Sequence, residues 1–334
     1  MTDLAASETA AQPPRSQELD LRLEEHRREL TAHAYRMLGS AYEAEDAVQE
    51  TLLRAWRALD RFEGRSSLRT WLYRIATNVC LDMLEGRERR ALPMDLGPAL
   101  TASDPLGDPL SEATWIQPLP NGRALPEEGD PAVLAVSRET VRLAFVAALQ
   151  HLPPRQRAVL ILREVLGWRA ADVAELLDTT VASVNSALQR ARATLAAAGL
   201  ANSDPLPPMD QAQRALLARY VDAFERYDLD ALTSLLHEDA AWSMPPYELW
   251  LQTHRDIVEW CLGPGIGCRG SRLIPVEANG QAAFGQYKPS PEGGLQPWSL
   301  QVLQISEGGI AGITFFLDTG RLFPLFGLPP HLDP

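Results

Sequence analysis

Apolar positions recur at helical spacing through residues 18–90: Leu30, Ala34, Met37 and Leu38 form one stripe, and Val48, Leu52, Ala55 and Trp56 another. Each stripe needs a partner face, which predicts an all-helical domain. The pattern stops over 91–131, where prolines and acidic residues crowd a segment holding one basic residue, Arg123. Such a segment predicts an extended linker. A helix resumes around 131–149, and 166–192 reads as two helices joined by a tight turn, with Val173, Ala174, Leu177, Val184 and Leu188 packed between them. Residues 132–200 therefore make a second all-helical domain. After a proline-rich joint at 201–209 the period changes. Helices at 210–227 and 229–238 precede strand-like runs at 271–277, 281–287, 298–305 and 310–317, with hairpin turns at Asn279-Gly280 and Glu307-Gly308-Gly309. Residues 210–334 are thus an α+β domain. Residues 1–17, rich in Ala, Ser and Pro, read as a disordered tail.

Charge sharpens this division. The net charge of −13 is not uniform: residues 1–18 carry −2, 19–90 carry 0, 91–137 carry −6, 138–200 carry +3 and 201–334 carry −8. The one positive block holds the helix-turn-helix pattern, as a phosphate-contacting surface requires. Lys288 is the only lysine, and the preference for Arg reads mainly as GC-rich coding. Cys80, Cys261 and Cys268 lack metal-ligand spacing, and their odd number makes no disulfide framework. No apolar run reaches the ~18 residues of a membrane span, and the N-terminus lacks a signal peptide's apolar stretch. A soluble cytoplasmic protein without metal, cofactor or membrane partner is expected.

Two motifs carry the functional reading. Residues 46–56, DAVQETLLRAW, run on to FEGRSS at 62–67 and TWLYRIATN at 70–78; the helix-turn-helix follows after a long spacer. Together they resemble the two DNA-reading halves of an extracytoplasmic-function sigma factor. The resemblance implies a promoter-specificity subunit of bacterial RNA polymerase, built from region 2 (18–90) and region 4 (132–200). It further implies that Asp46, Gln49, Glu50 and Arg54, which fall on one side of a helix, dock on core polymerase. The polar loop at 62–67 would take a base flipped out of the melted minus-ten element, an extrusion costing a few kcal/mol that stacking and edge hydrogen bonds must return. Arg61, Phe62, Arg65, Arg69, Thr70, Arg74 and Asn78 are the groups available there. Trp71, Leu72 and Ile75 are expected in the core. In the second half, Thr180 is a natural N-cap, and Ser183, Asn185, Ser186, Gln189 and Arg190 are candidates for the minus-thirty-five element. Arg169 stands where the family often has a Ser or Thr cap, and Asn185 where it often has Lys or Arg, so base preference does not transfer.

The linker contains an aromatic-apolar island, Trp115 to Pro120 by number 115–120, expected to bind a polymerase groove or a face of the same chain. Residues 210–334 resemble the SnoaL-like polyketide-cyclase superfamily, carried by LARYVDAF at 217–224, DLDAL at 228–232 and LLHEDA at 235–240. That resemblance implies a cone whose interior could hold a small apolar ligand among Trp242, Met244, Trp250, Trp260, Tyr287, Trp298 and Phe316. It also implies modulation of the sigma part by this domain; the apolar run Leu322-Phe323-Pro324-Leu325-Phe326 itself reads as a docking strip. Two other readings stay open. A free-standing repressor would use only 138–200 and leave the 46–56 helix without a role. A cyclase-like enzyme would need a buried acid/base pair among His237, Asp239, His254 and Asp318, for which capping and surface positions are the plainer account.

Overall fold

The computed structural model describes residues 21–64, 66–126, 128–197 and 210–333. The first domain is built on three helices, α1 (Arg27–Leu38), α2 (Ala41–Ala58) and α3 (Leu68–Leu84). Gly39, at φ 71°, ends α1 in the left-handed conformation that glycine adopts freely. Ser40 then caps α2 by accepting from the Glu43 amide, and Ser67 caps α3 by accepting from the Thr70 amide. Leu30, Ala34, Met37, Leu38, Val48, Leu52, Ala55 and Leu72 are buried, as their spacing predicts. Trp71 and Ile75 pack at the rim of this core. Trp56 departs from the prediction: one residue beyond Ala55 turns the helix by about 100°, and its ring is 56% exposed.

In the second domain the helix expected over 131–149 is two helices, α4 (Pro131–Glu139) and α5 (Leu143–Gln150), with Val141 in the bend between them. α6 (Pro154–Leu160) follows and ends in a wide π-helical turn at Ile161–Val165. The helix-turn-helix is α7 (Ala170–Leu176) and α8 (Val181–Ala197), with all five residues predicted between them buried.

The third domain wraps α9 (Gln211–Glu225), α10 (Leu229–Thr233) and α11 (His254–Leu262) with a six-stranded sheet ordered β2-β1-β6-β5-β4-β3. Its strands are β1 (Leu236–Ser243), β2 (Trp250–Leu251), β3 (Arg272–Ala278), β4 (Gln281–Pro289), β5 (Leu295–Ser306) and β6 (Gly309–Phe316). β1 runs parallel to β6 and every other pair is antiparallel. Residues 236–238, expected in a helix, instead begin β1. Alternation along the strands divides two faces. Phe284, Leu303, Ile313 and Phe315 line the inside of the cone with Tyr220, Phe224, Trp242 and Trp260. Ala283, Tyr287, Leu300, Val302 and Phe316 look the other way, into a core continuous with the two helical domains. A final helix, α12 (Thr319–Leu325), buries Leu322 and Phe323, with Phe323 edge-on to Tyr287 at 5.1 Å between ring centroids.

The linker is a strap rather than a free tether. Its amides at Leu100 and Leu110 donate to the Trp250 and Pro246 carbonyls on the cone, at 2.9 Å each. The island then dives into the core, where Trp115, Ile116 and Leu119 are buried. Gln117 accepts from Ser40 Oγ at 2.5 Å, and its carbonyl accepts from Tyr35 Oη at 2.7 Å. The island thus binds a face of its own chain. The tip of the β3–β4 hairpin meets it there. Asn279 Oδ1 accepts from the Leu119 amide at 2.9 Å, and its Nδ2 donates to Tyr35 Oη at 2.6 Å and to the Val141 carbonyl at 2.7 Å. The Gly280 amide donates to Asn121 Oδ1 at 2.7 Å. Four segments of the chain therefore meet at one buried side chain.

A buried histidine makes the first domain acid-sensitive. The Thr77 hydroxyl donates its one proton to the Tyr73 carbonyl at 2.7 Å, so His33 Nε2, 3.0 Å away, must donate to Thr77. Nδ1 is left unprotonated and without a partner among the described residues. Burial, with the Arg36 charge nearby, pushes the imidazole down to about 3. Between its usual value of about 6.5 and about 3, the unfolded chain binds a proton that the folded chain refuses, so stability is lost as pH falls across that window. The slope is at most about 1.4 kcal/mol per pH unit. Urea unfolding at pH 7.5 and pH 5 should show a smaller stability loss in His33→Phe than in the wild type; equal losses would contradict this role.

Candidate nucleic-acid interface

The sigma-like surfaces lie on α2, the α2–α3 loop, α3 and α8. On α2, Asp46, Gln49 and Arg54 are exposed and Glu50 half-buried, all on the side away from the core. Glu50 pairs with Arg54 at 2.6 Å, and Arg54 reaches Asp82 on α3 at 3.4 Å. Leu53 and Trp56 are exposed on the same helix and add apolar area that the charged pattern alone had not indicated. Trp56 at the end of a helical apolar stripe could be read as core from sequence, and only its rotation about α2 shows otherwise.

Phe62 stacks on Trp71 with ring centroids 5.0 Å apart. Thr70 and Arg74 border a polar cleft of about 600 Å³ whose far wall is Trp168, Arg169, Asp172 and Glu175 of the second domain. Arg74 crosses it, donating to the Glu175 carbonyl at 2.7 Å. Trp168 packs edge-on against Tyr73 at 5.5 Å. Arg69 is held by Glu29 at 2.6 Å, and Asn78 is exposed. Arg65 and the side chain of Arg61 lie outside the described residues.

On α8, Thr180 Oγ1 caps the helix by accepting from the Ser183 amide at 3.1 Å. Thr180, Ser183, Asn185, Ser186, Gln189 and Arg190 are all exposed along one side. Arg169, at the cap of α7, makes no capping bond and pairs with Asp172 at 2.8 Å. The joint at 201–209 and the tail at 1–17 lie outside the described residues.

The cone's interior differs from the pocket expected. Trp242, Met244, Trp260 and Trp298 do converge on a hollow, but it holds only about 40 Å³, far below the ~300 Å³ of an ordinary ligand site. Tyr287 and Phe316 are on the opposite face, because each is one residue out of phase with the inward positions of its strand. Trp250 sends its Nε1–H to the Gly97 carbonyl of the strap at 3.0 Å. His237 and His254 are tied to the Ser306 and His237 carbonyls, at 2.7 and 2.9 Å, and Asp239 and Asp318 are exposed. No acid/base pair forms among them. Among the described residues no cluster of metal-ligand side chains occurs, and no helix is long and apolar enough to cross a membrane.

Comparison with known proteins decides the family. Residues 23–90 match the family model for Sigma-70 region 2, and residues 142–195 that for Sigma-70, region 4. The chain is 49% identical over 316 residues to the ECF RNA polymerase sigma factor SigG of Mycobacterium tuberculosis, covering 92% of this chain and 83% of that one. The chain belongs to the ECF RNA polymerase sigma factors. It is also 30% identical over 219 residues to the sigma factor SigJ of M. tuberculosis, spanning 65% of this chain and 62% of the relative. The crystal structure of that SigJ covers 94% of this chain and is itself covered completely, with a TM-score of 0.59 at 22% identity, a likeness of fold. As a sigma factor the chain binds core RNA polymerase and promoter DNA and directs promoter-specific initiation; it is not an enzyme. Its regions 2 and 4 fall in the all-helical domains, and its third domain is the α+β cone.

Proposed function

We propose that this structure is the closed, resting form of the sigma factor, held shut by its own C-terminal cone, and that promoter recognition requires it to open. One observation carries the reading. Arg74, in the minus-ten reader, is hydrogen-bonded to Glu175 in the helix-turn-helix. Gln189 follows Glu175 through one tight turn and the first half of α8, a reach of at most about 30 Å. The minus-ten and minus-thirty-five elements are about 25 base pairs apart by definition, or about 85 Å at 3.4 Å per pair. The two readers, as packed here, are too close together to sit on both elements.

Asp46, Gln49, Glu50 and Arg54 are the proposed polymerase contacts, with Leu53 and Trp56 as an apolar supplement. This face is open in the closed form, so polymerase can engage α2 before regions 2 and 4 separate. In the minus-ten reader Phe62, Thr70 and Asn78, with Arg61 and Arg65, are proposed to receive the flipped base and its neighbours; Arg69 and Arg74 become available on opening. Asn185, Ser186, Gln189 and Arg190, backed by Thr180 and Ser183, are proposed for the minus-thirty-five element. Activity in the cytoplasm, where RNA polymerase works, follows from this role.

Asp46→Arg with Glu50→Arg should cut co-purification with core polymerase at least tenfold while leaving the circular dichroism spectrum and melting unchanged, because exposed charges set association rather than stability. Undiminished co-purification would show that this face is merely solvated. Gln189→Ala and Arg190→Ala should each weaken promoter use by about 1–3 kcal/mol if they read base edges; a double variant that still feels minus-thirty-five substitutions as strongly as the wild type would move the reading elsewhere on α8.

Asn279→Ala tests the closure. It removes three hydrogen bonds and leaves the buried Leu119 amide and Val141 carbonyl unsatisfied, at about 1–3 kcal/mol each. The variant should bind core polymerase and run transcription from a wild-type promoter at least several-fold better, with a larger radius of gyration by small-angle scattering. Unchanged transcription from an opened molecule would leave the cone without a regulatory role.

A further inference from the structure

Between the strap and the cone lies a second cavity, distinct from the small hollow inside the cone. Its volume is about 490 Å³, within the ordinary range for small-molecule sites. The strap supplies Leu110, Glu112 and Trp115; the cone supplies Tyr247, Trp298 and Phe316. The walls are held in register by the Leu110 amide, which donates to the Pro246 carbonyl at 2.9 Å. Trp298 borders both this cavity and the inner hollow.

The geometry points to a regulatory ligand site in this seam, for a flat aromatic molecule carrying no negative charge. Four aromatic side chains and several prolines border it, which favours planar apolar surface. No Arg or Lys borders it, whereas the carboxylates of Glu112 and Asp318 do. Glu112 is paired with Arg321, but Asp318 forms no ion pair among the described residues. Lys288 stands over the Trp298 ring at 3.2 Å and Arg321 is taken by Glu112, so Asp318 is the lining charge left without an ion-pair partner among the described residues, and a neutral or cationic aromatic suits it better than an anion.

The site has a direction of effect, which rests on the closed-form reading above. The strap's wall of the cavity is continuous with residues bonded to region 2, for Gln117 accepts from Ser40 Oγ and, through its carbonyl, from Tyr35 Oη. Separating region 2 from region 4 to span the two promoter elements therefore pulls this segment away from the cone. A ligand that needs both walls binds the closed form alone, and it therefore shifts the population toward closure by its differential affinity. Its binding lowers polymerase engagement.

The test uses Nile red, a neutral planar dye, with the full chain. Its fluorescence should rise saturably with one site, whereas the anionic dye anilinonaphthalene sulfonate should bind at least tenfold more weakly. Leu110→Trp, which fills the cavity from the half-buried strap, should weaken Nile red at least tenfold, and Tyr247→Ser should weaken it measurably. Met244→Trp, which fills the inner hollow instead, should leave it unchanged. Absence of saturable binding, or loss in Met244→Trp with retention in Leu110→Trp, overturns the site. Core polymerase added to the loaded protein should release the dye; dye retained on the holoenzyme would keep the site and overturn its coupling to closure, independently of whether Asn279→Ala activates transcription.

Discussion

One asparagine joins the parts of this molecule. Asn279 is buried at the tip of a hairpin, in a left-handed conformation with φ 57° that asparagine tolerates better than most residues. Its amide group bonds region 2 through Tyr35, the linker through Leu119 and the start of region 4 through Val141. The next residue has to be glycine: Gly280 has φ 69°, and a Cβ there would meet the Arg138 carbonyl at 2.9 Å. An Asn-Gly pair that would serve any exposed hairpin is here required by tertiary contact as well. Because the contact is polar and directional, it fixes one docking geometry and loses much of its strength when displaced, as a switchable closure demands.

The helical domains are joined in the same manner. Arg36 of α1 donates to the Thr140 carbonyl at 3.0 Å and to its hydroxyl at 2.7 Å. Arg157 of α6 donates to the Met37 carbonyl and to Gln150 and Leu152. Burial pushes both guanidinium groups down to about 10, so they remain charged at neutral pH. Neither has a carboxylate partner among the described residues; carbonyl dipoles take that place. Charged groups held this way are expensive to bury and readily returned to water. Closure by these contacts is therefore specific without being irreversible, which suits the proposed opening on a promoter.

The sequence disclosed the parts better than their assembly. The helices of region 2, the helix-turn-helix, its Thr180 cap and four strands were legible because amphipathic period and turn chemistry are local. Trp56 misled because one residue past a helical stripe is ambiguous between core and surface. β1 was read partly as helix because residues 229–238 continue an apolar spacing that α10 abandons after Thr233. Tyr287 and Phe316 were assigned to the cone's interior because phase along a strand cannot be fixed without knowing which face meets which partner. Here both sheet faces are covered, so both are apolar. The burial of Asn279-Gly280 carried no sequence signal, since the same dipeptide marks turns in water.

The linker shows how an acidic, proline-rich segment can be ordered without forming a domain. Its apolar side chains follow no helical or strand period, so it borrows a core: Ile116 and Leu119 enter the one shared by region 2 and the outer sheet face, while its amides pair with the carbonyls of Trp250 and Pro246. Order obtained from two partners is lost when either departs. Moving region 4 away from region 2 pulls on the strap, uncovers the hairpin tip and opens the seam beside Trp298 together. In the proposed closed form the cone need not cover α8 to restrain it; holding the linker short is sufficient, because α8 is exposed and yet too near region 2 for both readers to reach their elements.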